Sequence, residues 1–212
     1  MRAPLMLMAA LAGAALLAGC GDEDEAPGAG DGPSGTQRPE KPEFVEGLPA
    51  GWTEEENEAQ GFSLGAPPGW RSGGECLEGG AEAVPVTILC SPDKLVTLSV
   101  SADRTNEALE LSPEDFAART MTGLADSYEG LKPGKPKSFS GHYDGATVEG
   151  SGKAVGTGVE QDVTVAVLRR EGVANFTAVI AANADEPTQP AVELAKEALD
   201  TLRSQPVRVA SG

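Results

Sequence analysis

The 212-residue sequence predicts an α+β fold, an antiparallel β-sheet flanked by helices. Two observations carry this. Short segments in which apolar and polar residues alternate recur between Phe62 and Ala182, the period of half-buried strands. Two amphipathic helical stripes, one after Ser112 and one after Asp185, give the order strands, helix, meander of strands, helix.

Phe62-Ser63-Leu64-Gly65-Ala66 alternates and runs into Pro67-Pro68-Gly69-Trp70, a strand followed by a turn. Val84, Val86, Ile88 and Cys90 alternate with Pro85, Thr87, Leu89 and Ser91. After the turn signal Ser91-Pro92-Asp93-Lys94, Val96, Leu98 and Val100 alternate with Thr97, Ser99 and Ser101, which completes a hairpin. Ser112 then stands at an N-cap, with Pro113 in the first turn and Glu114 and Asp115 beside it. Ala117, Met121, Leu124 and Tyr128 share one face of that helix, which Gly130 is expected to end. Further strands are expected over residues 137–141, 146–154, 159–168 and 175–182, with Arg169-Arg170-Glu171-Gly172 as a turn. Asp185-Glu186-Pro187 opens a last helix with the stripe Ala191, Leu194, Ala195, Ala198 and Leu202, stopped by Pro206.

The charge excludes several classes. Sixteen Lys and Arg against 33 Asp and Glu leave −17, which repels phosphate backbones, so nucleic acid is not an expected partner. The same balance disfavours basic patches on anionic lipid. Residues 21–60 hold 12 acidic and two basic residues, so most of the charge lies outside the expected domain. This stretch is rich in Pro, Gly and Ser, and reads as a solvated, self-repelling tether; about 40 residues of flexible coil span roughly 35 Å. Asp22-Glu23-Asp24-Glu25 lacks the mid-loop glycine and closing glutamate of a calcium loop. One His and three Cys offer little for a metal site, and neither metal nor cofactor is expected.

Residues 1–19 read as a secretory signal: Arg2 supplies positive charge, Leu5 to Leu17 is an apolar run, and small residues precede Cys20. The run is shorter than the roughly 20 residues a membrane span needs. Leu17-Ala18-Gly19-Cys20 resembles the lipobox of bacterial lipoproteins at all four positions. That resemblance implies a diacylglyceryl group on the Cys20 thiol and a mature chain beginning there, anchored on the extracytoplasmic face of the cell membrane. Two or more acyl chains suffice for stable anchoring without a spanning helix.

The remaining chain divides into a domain over residues 61–205 and a tail over 206–212. From Gly61-Phe62-Ser63-Leu64 through Pro67-Pro68-Gly69-Trp70, the hairpin, the Ser-Pro-capped helix and the meander to Phe176-Thr177-Ala178, it resembles the Mog/PsbP-like superfamily, particularly actinobacterial LpqN/LpqT-type lipoproteins. The last matching segment is Ala198-Leu199-Asp200-Thr201-Leu202-Arg203. The resemblance implies an α/β/α sandwich with a binding or accessory role rather than catalysis. The glycine-rich segment 73–80 and its cysteine fall outside it.

With Cys20 lipidated, Cys76 and Cys90 form an even pair in an exported protein and are expected to be bridged, adding about 3 kcal/mol by loop closure. Two buried thiols are the other reading; a redox pair would need Cys-X-X-Cys spacing. Cys90 shares the core-facing parity of Val86 and Ile88.

No catalytic constellation emerges. His142 stands in Gly141-His142-Tyr143-Asp144-Gly145, a turn, near Ser138 and Ser140, but no Gly-X-Ser-X-Gly elbow exists. Gly150-Ser151-Gly152-Lys153-Ala154 echoes a phosphate loop without its Ser or Thr and without a following helix. Trp70, Phe116 and Tyr128 are the residues expected in a ligand site, if they are not simply core. The expected function is therefore a lipid-anchored binding or accessory protein of the cell envelope, whose partner is an envelope lipid or a membrane protein. A hydrolase of envelope carbohydrate or ester, requiring a carboxylate pair about 5–9 Å apart, and a structural surface protein without a ligand are the alternatives.

Overall fold

The computed structural model describes residues 47–76 and 86–205. Residues 1–46, with Cys20 and most of the expected tether, lie outside them, as do Val84 and Pro206. The elements in chain order are β1 (Thr53–Asn57), β2 (Phe62–Ala66), β3 (Arg71–Ser72), β4 (Thr87–Cys90), β5 (Val96–Asp103), α1 (Asn106–Glu110), α2 (Pro113–Gly123), β6 (Tyr128–Pro133), β7 (Lys137–Ser140), β8 (Asp144–Ala154), β9 (Glu160–Arg170), β10 (Ala174–Asn183), α3 (Gln189–Asp200) and β11 (Arg203–Ser204).

These strands form two antiparallel sheets. The larger has the order β3-β4-β5-β10-β9-β8-β6, with β7 also paired to β8; the smaller is β1-β2-β11. The period of two in β9 divides its side chains between two apolar clusters. Val163, Val165 and Val167 join Ala117 and Met121 of α2; Ala166 and Leu168 join Phe62 and Leu64 of β2 and Ala195, Ala198 and Leu199 of α3. Helix α2 thus covers one face of the large sheet. The other face is covered by α3 together with the small sheet. This is the expected sandwich, with a three-stranded sheet added to one outer layer.

Aromatic contacts seal that second layer. Phe62 and Phe176 are fully buried and meet edge to face with centroids 5.9 Å apart. Burial of each ring is worth about 2–3 kcal/mol. Tyr143 meets Phe176 at the same centroid distance, and its hydroxyl donates to the Leu202 carbonyl at 3.0 Å.

Several expectations need correction. The tether does not extend to residue 60: Thr53–Asn57 is strand β1, paired along its length with β2. Its acidic residues hid it, because an edge strand pairs through backbone groups and needs no apolar face. Carboxylates also guard such an edge against further pairing, and Glu54 accepts a hydrogen bond from the Ser63 hydroxyl at 2.8 Å. Helix α2 starts as expected, with the Ser112 hydroxyl accepting from the Asp115 N–H at 3.1 Å, but ends at Gly123 in a short 3-10 turn. Tyr128 therefore begins strand β6, and Gly130 (φ +68°) sits where the β6–β8 register shifts. The tyrosine reaches the α2 cluster from the sheet side.

Three smaller departures concern parity and ends. In β4 it is Leu89, not Ile88, that is fully buried with Cys90. Helix α3 begins at Gln189, and Leu199 takes the buried position that the stripe gave to Leu194. Arg169 and Arg170 complete β9, leaving the turn to Glu171–Val173. The five-residue α1 was not foreseen; it is capped by the Thr105 hydroxyl, which accepts from the Ala108 N–H at 3.3 Å.

Strand β8 uses glycine where neighbours come close. A Cβ on Gly145 would stand 2.2 Å from the Val167 carbonyl oxygen and 2.4 Å from Phe139 Cζ. Backbone cannot yield cheaply, so Gly145→Ala is expected to destabilise the fold by about 3 kcal/mol or more. Urea denaturation with an unchanged m-value would check this; a loss below about 0.5 kcal/mol would show that β8 can shift away from β9.

Candidate functional site

Among the described residues, helix α2 covers β8 and β9 but leaves the same face of β4, β5 and β10 half-exposed. The register fixes what lies there. Ser99 stands between Ile88 on β4 and Val179 on β10; Thr97 stands between Cys90 and Ala181; Ser101 stands beside Thr177. Ile88, Thr97, Ser99, Ser101, Thr177 and Val179 are all half-exposed. They form a half-exposed strip, or trough, of hydroxyl and aliphatic groups along the sheet beside α2, spaced about 7 Å along each strand and about 5 Å across. Val179 packs against the α2 cluster and joins the trough to it.

Polar networks close both ends. At one end the Tyr128 hydroxyl donates to Gln161 Oε1 at 3.2 Å, and Gln161 Nε2 donates to Asn183 Oδ1 at 3.0 Å. At the other, Asp103, Asn175 and Arg169 lie side by side across β5, β10 and β9. Arg169 Nε donates to Asn175 Oδ1 at 2.9 Å, and its guanidinium also donates to the carbonyls of Ala108 and Leu111. Asn175, fully buried, donates from Nδ2 to the Ala108 carbonyl at 2.6 Å. This network holds α1 against β10, so the buried amide is satisfied. Asp103 accepts from the Thr105 N–H and hydroxyl at 2.9 and 2.7 Å.

Cys76 and Cys90 are joined in a disulfide with Cα atoms 5.6 Å apart. Cys90 is fully buried on the trough side of β4, beside Thr97, so the bridge lies at the trough's margin. Phe116 and Tyr128 come together in the α2 cluster, Phe116 partly buried and Tyr128 largely so. Trp70 packs instead against the other cluster, across the sheet. The three expected ligand residues thus do not share one site. Alternation shows Thr97, Ser99 and Ser101 only as the polar half of a half-buried hairpin, not which residues of β4 and β10 stand beside them. The signal of the hydroxyl row was the use of small hydroxyls rather than charges on the outward positions of a strand.

Burial pushes the Tyr128 phenol up to about 12 and raises that of Tyr143 as well. Tyr128 is therefore a neutral hydrogen-bond donor at physiological pH. The Ser138 hydroxyl donates to Glu114, which lowers that carboxyl. The His142 ring rests edge-on against Tyr143 with centroids 4.6 Å apart. Gly150–Ala154 forms the last five residues of β8 and is followed by a turn, so no helix N-terminus follows Lys153. Among the described residues, no group of three or more His, Cys, Asp or Glu could hold a metal ion. The trough offers hydroxyls that can donate and accept hydrogen bonds, among the aliphatic groups of Ile88 and Val179.

An antiparallel sheet with one helix on one face and a helix plus small sheet on the other is the Mog/PsbP-like fold. Comparison with solved structures agrees. The chain is similar to cyanobacterial PsbP (CyanoP) of Synechocystis sp. PCC 6803, at 16% identity and a TM-score of 0.52, covering 76% of this chain and 95% of that one. It is also similar to the Saccharomyces cerevisiae Ran-binding protein Mog1p, at 11% identity and a TM-score of 0.50, covering 72% and 95%. LpqN of Mycobacterium tuberculosis, involved in cell envelope biogenesis, aligns at 16% identity and a TM-score of 0.45 over 73% of this chain and 91% of that one. No family model and no curated protein matches the sequence.

The two tyrosines are the only ones in the chain, which makes their ionisation readable by ultraviolet absorbance. Native protein is expected to show little tyrosinate at pH 10, where a free phenol is half ionised. Because the folded Tyr128 pKa lies above the unfolded value, its contribution to stability is complete below pH 10 and is lost as pH rises towards 12, by about 2–3 kcal/mol. A native titration midpoint near 10 for both tyrosines would contradict this burial.

Proposed function

We propose that the chain is a membrane-anchored extracytoplasmic lipoprotein whose domain binds a component of the cell envelope without catalysing its conversion. The observation that carries the binding role is the trough. A row of hydroxyls with neither a base nor a nucleophile–base pair among its members suits holding a ligand better than transforming one. Its lining, aliphatic beneath and hydroxylic above, matches an apolar or glycolipid molecule or the surface of a protein partner.

The address rests on Leu17-Ala18-Gly19-Cys20 behind its apolar run. A buried disulfide supports an oxidising compartment. No helix among the described residues is long and apolar enough to cross a membrane. The likeness to Mog1p, a Ran-binding protein, supports a protein partner only by analogy of fold. A lipid tether confines the domain to a thin layer and raises its effective concentration towards partners there.

Cys20→Ser is expected to move the protein from the membrane fraction to the soluble one. Persistence with membranes would sink the anchor. For the binding role, the lipidated protein is purified from its native membrane and co-purifying lipids and proteins are read by mass spectrometry. Ser99→Arg and Thr177→Arg, both at half-exposed positions, are expected to abolish the recovered species while shifting the melting temperature by only a few degrees. Equal recovery from both variants would move the site elsewhere, and recovery of nothing from the unaltered protein would count against binding itself.

A further inference from the structure

Three turns meet at one end of the domain, beside the point where the tether enters at Gly47. In the first the Trp52 N–H donates to the Pro49 carbonyl, in the second the Trp70 N–H to the Pro67 carbonyl, both at 3.1 Å; in the third the Lys94 N–H donates to the Ser91 carbonyl at 2.9 Å. The turns pack side by side. A Cβ on Gly51 would stand 3.5 Å from Pro68 Cγ, and one on Gly69 would stand 3.6 Å from Pro92 Cγ. Trp52 and Trp70 are the only tryptophans in the chain, and both lean one side on the β2–α3 cluster while remaining half-exposed. Pro49, Pro68 and Pro92 are exposed around them.

We infer that this tryptophan–proline tip beds into the interfacial layer of the bilayer that carries the chain's anchor, an inference that rests on the anchoring proposed above. Half-exposed indole rings suit a layer that is apolar on one side and wet on the other. Proline turns present a rigid apolar surface, so little conformational entropy is lost on contact. Charge is balanced at the tip: Asp93 and Lys94 stand in the third turn and Glu54 and Arg71 just beyond the first two, with Asp93 engaged by the Ser91 hydroxyl and the Leu95 N–H and Glu54 by the Ser63 hydroxyl. The chain outside the structure also has the right length. About 27 residues from Cys20 to Glu46 would span about 30 Å as a coil. The tip lies where that stretch joins the domain, so a tether of this length lets it reach the bilayer. Trp70 thus has a role apart from the trough, which lies across the sheet.

The test uses intrinsic fluorescence, since every tryptophan in the protein lies at this tip. Full-length lipidated protein is reconstituted into phosphatidylcholine vesicles with and without lipids brominated near the headgroup. Emission is expected to be quenched by the brominated lipid, to stay quenched at high salt because the contact is apolar, and to recover in Pro49→Asp and Pro68→Asp. Trp52→Phe and Trp70→Phe then apportion the signal between the rings. Protein that sediments with the vesicles yet shows no lipid quenching overturns the tip contact and leaves the anchor standing. Protein that does not sediment with them overturns both.

Discussion

The ring of Phe176 ties the two sheets together: it meets Phe62 of the small sheet and Tyr143 of the β7–β8 turn, both edge-on at 5.9 Å, beneath helix α3. The Tyr143 hydroxyl reaches the carbonyl of Leu202, just before β11, so the chain's last described strand is fastened to the middle of its meander. Without this junction, β1, β2 and β11 would form a three-stranded ribbon with one apolar face in water, too small to stand alone. With it, β5, β9 and β10 gain a cover on that face, and their inner residues are close to fully buried.

The opposite face follows a different rule. One 11-residue helix cannot span a seven-strand path, so α2 covers β8 and β9 and leaves the neighbouring strands half-open. Small hydroxyl residues occupy those positions, a chemistry that tolerates water without leaving an apolar patch. The asymmetry of the covers thus produces both a sealed layer that supplies stability and a second layer that stays half-exposed. The two end networks, Tyr128–Gln161–Asn183 and Asp103–Asn175–Arg169, fix the strand ends on either side of it.

Local pattern revealed the elements whose burial is decided locally. Strands β8, β9 and β10 and the starts of β2 and α2 were legible because alternation, caps and turn residues agree there. Strand β1 was not, since an acidic edge strand is defined by backbone pairing with a partner rather than by its own side chains. Helix α1 is only five residues long, too short for a helical period, and is held by Arg169 and Asn175 from distant strands. Tyr128 matched a helical stripe by spacing while belonging to β6. The trough itself depends on where α2 stops relative to β10, a non-local fact, so its residues were visible in the sequence but their juxtaposition was not.

The disulfide between Cys76 and Cys90 has a consequence for durability against proteolysis. It closes the chain over residues 77–89 and ties both ends of that loop to the same buried corner of β4. A protease that cut within this loop would therefore leave two fragments still covalently joined, with β1 to β3 held to the rest of the domain. Nicked protein would remain one folded particle until a reductant reached the nearly inaccessible sulfurs.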